Sequence, residues 1–126
     1  MNIELDHTIV SVADVPKSIA FYTDIMGFHY EGEIGPFHVI RINDHLVFDL
    51  RKSEKVLPEH YAFSMPKGDF EEVRRRWIAS NILFGNSPFD QENKGEPKRW
   101  QGAKGETWAL YAKDPDKHSI EIRTYE

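Results

Sequence analysis

The feature that most constrains this chain is a repeat: Asp6-His7-Thr8-Ile9-Val10-Ser11-Val12 has a counterpart in Glu59-His60-Tyr61-Ala62-Phe63-Ser64-Met65. Each is an acid, a histidine and a short run with the alternation of a half-buried strand. A break and an amphipathic helical pattern follow both times, opened by Asp14-Val15-Pro16 in the first copy and by Pro66-Lys67-Gly68-Asp69 in the second. Near the end of each half a strand holds one carboxylate between apolar residues, as Phe48-Asp49-Leu50-Arg51 and Ile120-Glu121-Ile122-Arg123. The spacing that pairs His7 with His60 also pairs Ser11 with Ser64 and Val12 with Met65, so the faces of the two strands coincide. Histidine, acid, histidine, acid recur in order, and the chain reads as two like halves.

Within the first half, strand parity puts Leu5, His7, Ile9 and Ser11 on one face and Thr8, Val10 and Val12 on the other. Asp14 as N-cap, Pro16 in the first turn and Ile19, Tyr22, Ile25 and Met26 at helical spacing up to Gly27 predict a helix over about 15–26. Three strands, over about 28–34, 37–42 and 46–51, complete it. The second half repeats the order. A strand at about 59–65 precedes a helix at about 69–80, whose apolar side is Phe70, Val73 and Trp77 and whose solvated face is Glu71, Glu72, Arg74, Arg75 and Arg76. Strands follow at about 82–85, 107–112 and 118–125, the last after the turn Asp114-Pro115-Asp116-Lys117. Residues 86–106 form a polar stretch too long for an ordinary connection. The expectation is a lid or arm that closes over an anionic substrate, with Trp100 among Lys94, Lys98, Arg99 and Lys104.

A chain of 126 residues with 40% apolar content has enough core for one domain. The halves are expected as module 1 over about 1–51, a linker over about 52–58 and module 2 over about 59–126. The absence of cysteine excludes disulfides, thiolate metal sites and a cysteine nucleophile. No apolar run approaches the roughly 18 residues of a membrane span, and the first residues lack the pattern of a signal peptide. A net charge of −5 with both signs interspersed provides no basic face for nucleic acid. The expected protein is cytoplasmic, with a small-molecule substrate and neither nucleic acid nor membrane as partner.

Over essentially its whole length the chain resembles the vicinal oxygen chelate superfamily, which includes glyoxalase I, fosfomycin-resistance proteins, extradiol dioxygenases and bleomycin-binding proteins. The residues that carry the resemblance are Asp6-His7-Thr8-Ile9-Val10-Ser11-Val12-Ala13-Asp14, leading to Ser18-Ile19-Ala20-Phe21-Tyr22-Thr23-Asp24-Ile25-Met26-Gly27-Phe28, and Asp114-Pro115-Asp116-Lys117-His118-Ser119-Ile120-Glu121. The resemblance implies an α+β fold of two βαβββ modules, forming a curled mixed sheet around a cleft. It also implies one divalent metal ion, with His7, His60 and Glu121 at ligand positions. Two imidazoles and one carboxylate leave coordination sites open for water or a bidentate substrate, a set suited to Fe, Mn, Ni or Zn.

Asp49 is shorter by one methylene than the glutamate that glyoxalase I uses as a fourth ligand, so it is expected either to reach the metal only through water or to act as a base beside it. Tyr111 matches a cavity tyrosine of the fosfomycin thiol transferases, whereas their cavity threonine is Ile9 here. Strand parity adds Arg51, Arg123 and Thr107 to the candidate substrate contacts, with Trp100 from the long loop; either arginine could hold a carboxylate or phosphonate. The expected function is a metal-dependent enzyme acting on a small oxygen-rich metabolite, as a glyoxalase-like isomerase or lyase or a related transferase. A non-haem Fe(II) dioxygenase and a metal-free antibiotic-binding protein are the alternatives. Relatives of this length commonly pair, so a homodimer is expected, with His7 and Asp49 of one subunit facing His60 and Glu121 of the other.

Overall fold

The computed structural model describes residues 1–126. It has two compact units, Met1–Leu57 and Pro58–Glu126, each built around one mixed sheet. The first unit contains β1 (His7–Val12), α1 (Val15–Ala20), β2 (His29–Ile34), β3 (Phe37–Arg41) and β4 (Val47–Lys52). Its sheet order is β1-β4-β3-β2, with β1 parallel to β4 and the remaining pairs antiparallel. The side chain of Asp14 caps α1 by accepting from the Lys17 amide at 3.1 Å.

The helix predicted over 15–26 is α-helical only as far as Ala20; residues Phe21–Ile25 form a π-helical turn. The amide of Met26 accordingly reaches back five residues to the Phe21 carbonyl, at 3.0 Å. This wider turn buries Phe21, Tyr22 and Met26 together, while the predicted stripe residues Ile19 and Ile25 stay half-buried. Tyr22 packs edge-on against Phe48 at 5.7 Å, which fixes the helical segment on the Thr8, Val10 and Val12 side of the sheet. Gly27 ends the segment at φ 78°. His38 is half-buried on β3, with Nδ1 3.0 Å from the Tyr30 hydroxyl.

In the second unit β5 (His60–Ser64) leads to α2 (Lys67–Ala79), then β6 (Phe84–Gly85), β7 (Lys98–Gly102), β8 (Gly105–Lys113) and β9 (Ser119–Thr124). The path is β5-β9-β8-β6, with β7 also on β8, and β5 runs parallel to β9 as β1 does to β4. Phe70, Val73 and Trp77 are the buried residues of α2. Trp77 lies 6.0 Å from Phe84, on the sheet side that carries Leu110, Ala112, Ile120 and Ile122. Burying this apolar surface is the main favourable term in holding the helix on the sheet.

The stretch expected as a lid over 86–106 is partly a strand, since β7 pairs with β8 from Lys98↔Ala109 to Gly102↔Gly105. Its remainder is tied down by side-chain amides: Asn93 Oδ1 accepts from the amides of Asn86 and Gly95, and Asn86 Nδ2 donates to the Glu96 carbonyl. Arg74 leaves the predicted solvated face to meet Glu96 at 2.8 Å, linking α2 to this loop. No helix is long and apolar enough to cross a membrane.

Candidate metal centre

Sheet register assigns the candidate residues of the second unit to one side. Ala62, Glu121 and Tyr111 are successive cross-strand partners, as are His60, Ser119 and Lys113, and Ser64, Arg123 and Ala109. This side faces away from the Trp77 core. On it, His60 Nε2 lies 3.0 Å from Glu121 Oε1. The Glu121 side chain is 5% exposed and that of His60 49%, so a buried carboxylate supports a partly open imidazole. Glu121 Oε2 accepts from both Nε and Nη2 of Arg123.

Arg123, expected to hold substrate, is therefore turned onto Glu121. Burial works against its charge, but hydrogen bonds to Tyr125 and Glu121 outweigh that and hold its pKa above the ordinary value. Tyr111 lies in the same cluster, its ring 6.4 Å from that of His60. Burial first, and then the Glu121 charge, push its phenol up to about 12. Thr107 is buried and donates to the Thr124 carbonyl at 2.8 Å, and the Trp100 indole donates to the Asn86 carbonyl at 2.9 Å.

In the first unit, register puts His7, Ile9 and Ser11 on the side of Val47, Asp49 and Arg51. His7 Nδ1 lies 2.8 Å from Asp6 Oδ2. That hydrogen bond raises the His7 pKa most; burial opposes it, and the charge of Asp49 adds to it. An imidazole whose Nδ1 is engaged by a carboxylate presents Nε2 as its ligand atom, the usual support of a metal-binding histidine. His60 also presents Nε2. The donor set fits a divalent ion: a nitrogen and an oxygen already converge at His60 and Glu121, 3.0 Å apart, where a cation would take both as ligands.

Two features of the site were not anticipated. Asp114, Asp116 and His118 form a second group whose ligand atoms lie within 4.8 Å of one another. Much of its capacity serves a turn: Asp114 Oδ1 accepts from the amides of Asp116 and His118, and His118 Nδ1 accepts from the Glu59 amide at 2.9 Å. The turn thus clamps the start of β5 to the start of β9, one residue before His60 and three before Glu121. The turn itself is predicted from Asp114-Pro115-Asp116-Lys117; the grouping with His118 and its hold on Glu59 are not. Gln91 is the other, donating to Ser119 Oγ at 3.0 Å beside His60; its position inside a polar loop offered no signal.

Residues 4–80 match the family model described as the Glyoxalase/Bleomycin resistance protein/Dioxygenase superfamily. The chain belongs to this superfamily. The glutathione transferase FosA of Serratia marcescens is 22% identical over 125 residues, covering 94% of this chain and 78% of that protein. The solved structure of oxidase ChaP-H2 superposes with a TM-score of 0.85 at 29% identity, covering 100% of this chain and 96% of that one. Oxidase ChaP-H1 gives 0.83 at 30% identity, covering 99% and 98%. The fosfomycin resistance protein FosX of Mesorhizobium loti shares the fold, with a TM-score of 0.70 at 17% identity over 100% of this chain and 95% of that one.

Proposed function

We propose that this superfamily member is a divalent-metal-dependent enzyme acting on a small oxygen-rich molecule in an oxygen-dependent, oxidase-type reaction, with His7, His60 and Glu121 as the metal ligands. The observation that carries the reading is the approach of His60 Nε2 to Glu121 Oε1 at 3.0 Å, with the carboxylate buried. Two histidines and one carboxylate with open positions are the set associated with non-haem Fe(II) oxygen chemistry. The two oxidases, matched at 29% and 30% identity over nearly whole chains, support oxygen as co-substrate. Ile9, standing where the resemblance to fosfomycin thiol transferases calls for a threonine, argues against thiol transfer.

When bound, the ion would hold adjacent substrate oxygens and stabilise negative charge that develops on them. Tyr111, with its phenol held up to about 12, stays protonated at neutral pH and serves as a hydrogen-bond donor rather than a base. Asp49, on the same face of its sheet as His7, is the candidate proton acceptor. Arg51 and the loop bearing Trp100 are the candidate contacts to the rest of the substrate. Asp49 also supports a second reading, a glyoxalase-like isomerase or lyase that moves a proton without oxygen.

The reading includes a two-fold homodimer in which His7 and Asp49 of one subunit serve with His60 and Glu121 of the other. Its support is the exposed apolar series Ile3, Leu5 and Ile9, at 82%, 66% and 43%, which a partner would cover. Oxygen uptake by protein reloaded with Fe(II) and reductant tests the reaction class. Candidate phenolic and hydroxyketone substrates should consume oxygen only with the metal present. Turnover at an undiminished rate without oxygen would replace the oxidase reading with the isomerase or lyase one.

A further inference from the structure

We propose that Arg123 is a positioning residue of the metal centre: it engages one oxygen of Glu121 and so leaves the other as the single oxygen offered beside His60. The proposal rests on the metal-dependent reading above and goes beyond it in saying how the carboxylate is presented. Arg123 lies two residues along β9 from Glu121, on the same face, so its side chain folds back along the strand. Nε and Nη2 converge on Oε2, while Oε1 is left 3.0 Å from His60 Nε2. The Arg123 side chain is only 13% exposed, so solvent competes little with these bonds.

The place for the guanidinium is built into the sheet. Gly102, at the end of β7, lies against it, and a Cβ at that position would meet Arg123 Nη1 and the Tyr125 hydroxyl. Arg123 Nη1 also donates to that hydroxyl at 3.5 Å. A small residue, a phenol and a carboxylate thus hold the guanidinium from three directions. Two N–H groups in a rigid plane hold that one oxygen in place more firmly than a single ammonium can. With Oε2 engaged, Glu121 would offer an ion only Oε1, and the position that a second oxygen would take would be left for substrate. The same geometry withdraws Arg123 from the role of an anion clamp, since a substrate carboxylate could recruit it only by releasing Glu121.

The test is metal binding by the full-length protein, with Zn2+ affinity measured against a chromophoric chelator and Co2+ as a probe of coordination. Arg123→Gln should weaken Zn2+ binding by about 10–100-fold, the usual effect of removing a residue that supports a ligand. In the Co2+ form its visible absorption should fall as Glu121 turns to bind through both oxygens. Arg123→Lys, which keeps the charge and serves should Arg123→Gln fail to fold, is expected to lose less. Gly102→Ala displaces the guanidinium without removing it and should shift affinity and spectrum in the same direction. Arg99→Gln, altering a residue stacked over Trp108 at 5.0 Å, should change neither. Folded Arg123→Lys and Gly102→Ala proteins with the parent's Zn2+ affinity and Co2+ spectrum would overturn the proposal while leaving the metal reading intact. A parent that binds neither ion would overturn both.

Discussion

Tyr111 and Glu121 are direct cross-strand partners on β8 and β9, which sets a phenol beside a buried carboxylate on the side of the sheet that bears His60. Burial and the Glu121 charge both oppose a phenolate, and the Tyr111 pKa rises to about 12. Below the ordinary tyrosine value of about 10 both folded and unfolded chains keep the proton. Between there and about 12 the unfolded chain releases it while the native chain retains it, so stability falls with pH. The Tyr111 contribution is therefore fully present below about pH 10 and lost as pH rises through about 12. Urea unfolding across this range should show a steeper alkaline loss for the parent than for Tyr111→Phe. Equal slopes would contradict the raised pKa.

The loop between β6 and β7 depends on Asn93, whose Oδ1 accepts from the amides of Asn86 and Gly95. Asn93→Ala leaves the largely buried Asn86 amide without that acceptor and should cost about 1–3 kcal/mol. Because Gln91 of the same loop reaches Ser119, the variant should also raise KM while leaving metal affinity unchanged. Thermal unfolding and steady-state kinetics check the two parts separately, and an unchanged KM would detach the loop from substrate binding.

A duplicated acid-histidine-strand pattern made the fold legible, because two copies with matching parity leave few topologies for strands such as His7–Val12 and His60–Ser64. The same parity forecast that Tyr111, Glu121 and Arg123 share a side of the sheet. It did not forecast that Arg123 turns back onto Glu121, since parity fixes a face and not a rotamer. The π-helical turn at Phe21–Ile25 was illegible for a related reason: it answers to the packing of Tyr22 against Phe48, distant in sequence. Strand β7 was hidden because Lys98, Arg99 and Gln101 are polar, and only pairing with β8 makes them a strand.

Subunit mixing addresses the proposed assembly. His7→Ala and Glu121→Ala homodimers should each be inactive, and subunit exchange between them should restore partial activity through heterodimers with one intact site. A monomer in sedimentation, or verified exchange without rescue, would remove the shared-site arrangement.

The central claim, that His7, His60 and Glu121 hold a divalent ion, is tested most directly by elemental analysis of protein purified without chelators or a metal-binding tag. The account predicts a stoichiometric transition metal in the parent and in His29→Ala and His45→Ala. It predicts affinity lowered by more than about 100-fold in His7→Ala, His60→Ala and Glu121→Ala, beyond the usual effect of a merely supporting residue. A folded triple variant that retains the metal as tightly as the parent would contradict it.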